Sequence, residues 1–371
     1  MSKDNKPKYQ DIGGQAVMEG VMMQNPANGT MALAVRRPSG RIVVSCEHKE
    51  PLSKKHKWMG WPLVRGCVNM VTMLAMGMQT LDKGTQMLGL LEEEPTKFEK
   101  WLAKKLGASV DKIVMAVAMV LAVALSLLLF VALPTGAATL AGLVFDNRIV
   151  INLISGVVRI GILVAYMWGV GFVPDIKRVF MYHGAEHKTV YCNEAGLELT
   201  PENARKFSCL HPRCGTAFLF LVMFISILVG SVADQLIYLL FGIEKLGFVL
   251  RFGRSILILP LITGISYEAL KGLAHAGENV FVRALRWPGL MLQHLTTREP
   301  DDKMLEVAIA AMKAAKAGSA NWKETLGGDV AEYVDEEHEK AADDALKAEK
   351  TEETEEKTEE AAEEAAQEEN A

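Results

Sequence analysis

The chain has 371 residues, 50% of them hydrophobic, and a formal charge of -5. The apolar residues are gathered into long runs, the distribution of membrane spans rather than of a soluble core. The negative charge is local: residues 335–371 hold 17 acids against 4 lysines, the remainder is net basic, and no basic stripe interleaved with aromatics points to nucleic acid.

Residues 1–10 are polar and lead into no short apolar run with a small-residue cleavage site, so a disordered cytoplasmic N-terminus is expected rather than a signal peptide. Residues 11–57 read as a small β unit. Its runs 15–22, 31–37 and 42–47 are separated by Asn25-Pro-Ala-Asn-Gly29 and Pro38-Ser-Gly40, both turn signals. Three short strands are marginal alone and need a neighbour over one face. Through 58–112 the pattern turns helical: Leu63, Val64, Cys67, Met70, Val71 and Leu74 recur at three- and four-residue spacing, with Arg65 and Asn69 on the other side. That amphipathic pattern predicts interfacial or packed helices rather than a span.

A transmembrane bundle is expected over 113–275, from four apolar runs at 113–133, 149–173, 216–241 and 255–275, each long enough to cross a bilayer. Five lysines between 97 and 112 precede the first run, only Arg148 follows it, and Lys177, Arg178, Lys188, Arg205, Lys206 and Arg213 follow the second. The positive-inside rule then places both termini and the loop 174–214 in the cytoplasm. Arg159, Asp234 and Glu268 fall inside these runs, where an ionised group needs a partner, and a pair of Arg159 with Glu268 or Asp234 is the plain expectation. Residues 276–325 read as a cytoplasmic helical segment with a short helix over 295–318 capped by Thr297. The acidic segment 326–371, poor in large apolar residues, is a solvated helix or disordered tail. The fold class is therefore an all-α polytopic membrane protein of about four transmembrane helices, with a small N-terminal β unit.

The residues that can carry chemistry concentrate in the loop 174–214. Pro174-Asp175 can open a helix running toward Gly196. On it, His183-Gly-Ala-Glu186-His187 puts two imidazoles four apart on one face, able to share a metal ion, with Glu186 placed to polarise water as a general base. This is the H-x-x-E-H order of inverzincin metalloproteases. The same loop holds Cys209-Leu-His211-Pro-Arg-Cys214, whose thiols and imidazole suit zinc. A catalytic site keeps three protein ligands and an open position, whereas a structural one closes with four. His211, Cys214, Glu194, Glu268 and Glu278 are all candidates for the third, and the expected set is His183 and His187 completed by His211 or Cys214 around a divalent cation, zinc by donor type. The five cysteines are an odd set and read as thiols or ligands rather than disulfides. Gly13-Gly14 suits a tight turn or close packing, and Glu19 a salt bridge more than a metal.

Several motifs in order resemble the bacterial YqhQ family (domain of unknown function 1385). They are Gly13-Gly-Gln-Ala-Val-Met-Glu-Gly-Val-Met22, Tyr182-His-Gly-Ala-Glu-His-Lys188, Leu199-Thr-Pro-Glu-Asn-Ala-Arg205, His211-Pro-Arg-Cys-Gly-Thr216 and Leu295-Thr-Thr-Arg-Glu-Pro-Asp301, spread over about residues 11–315. The resemblance implies a bacterial inner-membrane protein described as a predicted metal-dependent enzyme, and supplies no substrate. The leading expectation is a multi-pass membrane protein, surrounded by lipid, with a hydrolase-like metal site acting on a membrane-associated peptide or a lipid headgroup. A scaffold or assembly factor with a structural zinc, and a small transporter using Arg159, Asp234 and Glu268, are the alternatives.

Overall fold

The computed structural model describes residues 12–49, 57–89, 110–243, 246–276, 279–327 and 330–332. The chain divides into two units, 1–330 and 331–371, and the expected acidic tail lies almost wholly outside the described residues, as do residues 1–10. Four strands open the first unit: β1 (Gly13–Val17), β2 (Gly20–Asn25), β3 (Thr30–Arg36) and β4 (Ile42–His48). The helices follow: α1 (Val64–Leu88), α2 (Val110–Leu127), α3 (Leu133–Ala141), α4 (Arg148–Val170), α5 (Pro174–Glu194), α6 (Pro201–Ala204) and α7 (Thr216–Phe241). Next come α8 (Phe248–Leu257), α9 (Leu259–His275), α10 (Val280–Thr296), α11 (Asp302–Ala317) and α12 (Trp322–Leu326).

β1 to β4 pair as sequential antiparallel neighbours. The expected single strand over 15–22 is two strands, because the chain reverses at Met18-Glu19 and pairs Val17 with Gly20. Glu19 takes a left-handed backbone (φ 51°), uncommon for a residue with a side chain. Its carboxylate is gripped by Arg178, at 2.6 Å from one guanidinium nitrogen, and by the Tyr182 hydroxyl, and its carbonyl accepts Arg36 N–H. The salt bridge expected of Glu19 is therefore what fixes the turn.

Strand alternation sorts the sheet into two faces. Val21, Met23, Ala32, Ala34 and Val44 pack with Tyr182 and Ala185 of α5 and with Met304, Leu305 and Ala308 of α11. Alanines along α11, including the fully buried Ala311, Ala314 and Ala315, keep that helix close to the sheet. Asp301 caps α11 by accepting Met304 N–H, whereas Thr297, the expected cap, belongs to the end of α10 and donates its hydroxyl to Gln293 O. The opposite face meets α1, where the Gln15 side chain lies against Gly77 and Arg37 Nε donates to Met87 O.

Three helical stretches, Val117–Ala141, Arg148–Val170 and Phe218–Phe241, are long and apolar enough to cross a membrane. The first runs past the expected end near residue 133. A widened π-type turn at Leu128–Ala132, with Leu133 N–H bonded to Leu128 O, carries the helix into Pro134, which would otherwise break it. A fourth candidate is bent by 47° between Phe248–Leu257 and Leu259–Leu273, at the step before Pro260. α1 is not among these candidates. Its first turns pack on α9, with Gly66 against Gly264 and Arg65 Nε donating to Glu268 at 2.6 Å. The expected pairing of Arg159 with Glu268 or Asp234 is therefore not formed: Arg65 takes Glu268, Arg254 and Arg251 take Asp234, and Arg159 donates to the Ser226 hydroxyl at 2.6 Å. α10 falls within the expected helical segment 276–325 and runs through Pro288.

Leu305 is fully buried between α11 and the sheet. Leu305→Ala is expected to lower unfolding stability by about 2–5 kcal/mol. The same truncation at the exposed Leu143 should leave thermal melting in detergent unchanged within about 0.5 kcal/mol.

Candidate metal centre

α5 begins at Pro174, whose fixed φ suits a first helical turn, and ends before Gly196, which takes φ 68°. One of its faces carries His183, Glu186 and His187, and the helix is buried from Gly184 to Val190. His183 Nδ1 lies 2.9 Å from Thr296 O, and His187 Nδ1 is hydrogen-bonded to Cys209 O. A carbonyl can only accept, so both rings donate from Nδ1, which leaves Nε2 as the ring nitrogen available to the site.

Cys214 arrives from the other side, at the entrance to α7. Its Sγ lies 3.3 Å from His183 Nε2 and accepts Thr216 N–H at 3.5 Å. One donor atom from each of His183, His187 and Cys214 falls within 4.8 Å of the others, so the cluster could hold a metal ion. A soft sulfur and two imidazole nitrogens on inward-facing, hydrogen-bonded rings fit such an ion.

Glu186 is buried beside them. One carboxylate oxygen accepts Gly14 N–H at 3.1 Å, and the other lies 3.9 Å from His183 Nε2. Burial raises its pKa, against the opposing pull of His183 and the Gly14 N–H. Two glycines make these approaches possible. A Cβ on Gly14 would sit 2.4 Å from Met22 O and 3.1 Å from Glu186 Cγ, and a Cβ on Gly184 would sit 2.1 Å from Arg298 O. The glycine that makes the His183 motif a poor helical sequence is thus what lets the 297–298 segment reach α5, where Arg298 N–H bonds Phe180 O.

His211 stands next to this cluster and is turned differently. Its Nδ1 accepts Arg213 N–H at 3.3 Å, and its Nε2 lies 3.3 Å from a Glu194 oxygen, near enough for an ion pair but off the line of an N–H bond. Burial pushes the Glu194 carboxyl up, but His211 and Arg213 outweigh it and hold it below the usual range. Gln293 clasps the His211 backbone from both sides, accepting its N–H at 2.8 Å and donating to its carbonyl at 2.9 Å. Cys209 offers only its carbonyl. Its thiol donates to Glu299 at 3.2 Å, and burial, with the Glu299 carboxylate beside it, pushes it up to about 12. All five cysteines are free. Glu268 is bonded to Arg65 on α1, and Glu278 lies outside the described residues. Sequence reading missed Gly14, Thr296 and Gln293 as parts of the site. Gly14 and Thr296 act through backbone atoms, for which no side-chain signal exists, and Gln293 acts on the His211 backbone.

Together these features define a mostly helical protein that has, among the described residues, three or four helices apolar enough to cross a membrane, a small N-terminal sheet and one His/Cys cluster able to hold a metal ion. The chain belongs to the family described as "Protein of unknown function (DUF1385)", which matches residues 61–317. It is 33% identical over 312 residues to "Uncharacterized protein YqhQ" of Bacillus subtilis (strain 168), covering 83% of this chain and 92% of that protein. No solved structure matches it.

Gly184→Ala should displace the Arg298 carbonyl and cost about 1–3 kcal/mol in a denaturant melt. Gly136→Ala, with no atom within 4 Å of its added methyl, is the neutral comparison.

Proposed function

We propose that this protein is a membrane-embedded, metal-dependent hydrolase, with zinc held by His183, His187 and Cys214 and with Glu186 as general base. The observation that carries the reading is the three-donor cluster with a carboxylate beside it. Three protein ligands leave a coordination position for water or substrate, the pattern of catalytic rather than closed zinc sites. Cys209, which could have closed the set, is bonded to Glu299 instead. A zinc ion held by these residues would supply a Lewis acid able to polarise a carbonyl or phosphoryl group.

Glu186 is the group that exchanges the proton. Gly14 N–H fixes one of its oxygens and leaves the other facing the donors.

The surroundings suit a substrate at a membrane surface. The donors lie where α5 follows one apolar helix and the 211–215 turn leads into the next. α10, whose last residues present Thr296 to His183, exposes Phe281, Leu285 and Trp287 and carries Arg283 and Arg286. Apolar and basic residues together on one helix fit an interfacial position, so the substrate is a membrane-associated peptide or a lipid headgroup. The basic residues of 174–214 support a reading in which the site and both termini face the cytoplasm at a bacterial inner membrane.

A scaffold with a structural metal is the second reading, favoured by the depth of the donors: His187 is 2% exposed and Cys214 8%. Elemental analysis of detergent-purified protein tests the site itself. Stoichiometric zinc in the wild type, lost in both His183→Ala and Cys214→Ala, is expected, and zinc unchanged in both variants ends both readings. Complementation of a deletion strain separates the two: Glu186→Gln that keeps zinc and fails to complement supports the hydrolase, while full complementation leaves the scaffold.

A further inference from the structure

The end of α4 and α7 remote from the metal centre holds a second polar cluster that the proposed reaction does not use. Asp234, nearly buried in α7, is bonded by Arg254, lies 3.5 Å from Arg251 and accepts the Asn152 side-chain N–H at 2.9 Å. Arg251 is 7% exposed and also donates to Asn152 Oδ1 at 3.3 Å. Arg159 lies close enough to Arg254 for their charges to oppose, and its bonded partner is the Ser226 hydroxyl. Among the described residues Asp234 is the carboxylate of this cluster, bonded by Arg254 and near Arg251 but not paired with Arg159, and the buried Nε atoms of all three guanidiniums have no hydrogen-bond partner.

Among the described residues the cluster thus holds three guanidiniums and one carboxylate within a bundle of apolar helices, where an uncompensated ion is costly. Beside the cluster is a cavity of about 260 Å³. Arg251, Asp234 and Arg148 form its polar wall, and Ala138, Leu143 and Ile151 are among its apolar residues. Arg148 is itself engaged, over the Tyr238 ring and with Gln235, so Arg251 is the buried cation on the cavity wall. Guanidinium groups match phosphate oxygens in geometry and charge better than any other side chain.

We infer that this cavity binds a phosphate anion, held by Arg251 with the field of Arg254 and Arg159 behind it. A lipid phosphate whose acyl stem lies along the apolar wall and a free phosphate share that chemistry. Asp234 competes with the anion for the same guanidiniums, which gives the site a signature that a purely structural ion network lacks.

The test uses full-length protein in phosphatidylcholine nanodiscs, titrated with inorganic phosphate and, separately, assayed for bound phosphatidylglycerol by native mass spectrometry. The wild type should bind one of the two saturably. Arg251→Gln should weaken that binding about tenfold or more, as loss of a charge-assisted hydrogen bond requires. Asp234→Asn should tighten it. Phosphate binding with this mutational pattern assigns the free ion, and phosphatidylglycerol binding alone assigns the headgroup. Ile151→Trp, which fills the cavity without altering its charges, should abolish binding and serves where a charge variant does not fold. A folded wild type that binds neither probe, or equal affinity across wild type and folded variants, overturns the inference.

Discussion

Two imidazole nitrogens committed to backbone carbonyls set the arrangement of the whole site. Because His183 Nδ1 donates to Thr296 O and His187 Nδ1 to Cys209 O, the rings cannot turn without leaving a buried acceptor unpaired. The two carbonyls come from different segments, the end of α10 and the link between α6 and α7, so each ring orients a donor nitrogen and anchors a piece of chain. Lys188, one residue on, reinforces the same junction: its ammonium bonds the carbonyls of Arg205 and Phe207 and pairs with Glu299 at 2.7 Å. α5 is thereby a hub. The sheet is tied to it through Gly14 and Glu19, the loop through Cys209, and the C-terminal helices through Thr296, Arg298 and Glu299.

The polar groups elsewhere obey a different constraint. Among the described residues of the apolar bundle, Asp234 and Glu268 are each matched by arginine, whereas at the metal centre the two imidazoles and Glu186 are held by backbone groups. The two ends of α4 and α7 thus differ in character: one assembles imidazole and thiol donors beside a buried carboxyl, the other concentrates guanidinium charge. α1 joins the halves of the molecule physically, with its first turns on the bent α9 and its last turns on the sheet.

How much was legible in the sequence follows from how local each determinant is. α5 could be read because Pro174 starts it and its His-x-x-Glu-His spacing lies within two turns. The candidate spans could be read because apolarity over 20 residues needs no partner. The Met18-Glu19 reversal could not, since neither residue is a turn former and the left-handed Glu19 is held by Arg178, 159 residues away. Helix continuation through Pro134 depended on a widened turn that composition does not announce. Ion pairing was misassigned for the same reason: Arg159, Asp234 and Glu268 sit at plausible depths, but Arg65, Arg251 and Arg254 reach the acids first. Of the candidate donors, the motif residues His183, His187 and Cys214 converge, while the orientation of His211 is set by Glu194 and the Arg213 backbone.

The distances along the chain between these partners also order events during biosynthesis. Gly14 and Glu186 are 172 residues apart, and His183 waits on Thr296, 113 residues further on and beyond the bent helix pair. A chain emerging from the ribosome N-terminus first can form the strand hairpins early and has the Cys209 anchor of His187 soon after α5, yet His183 stays unanchored until every apolar helix has been made. Completion of the donor cluster is therefore a late maturation step, and a chain truncated before α10 would carry the whole motif without the means to orient it.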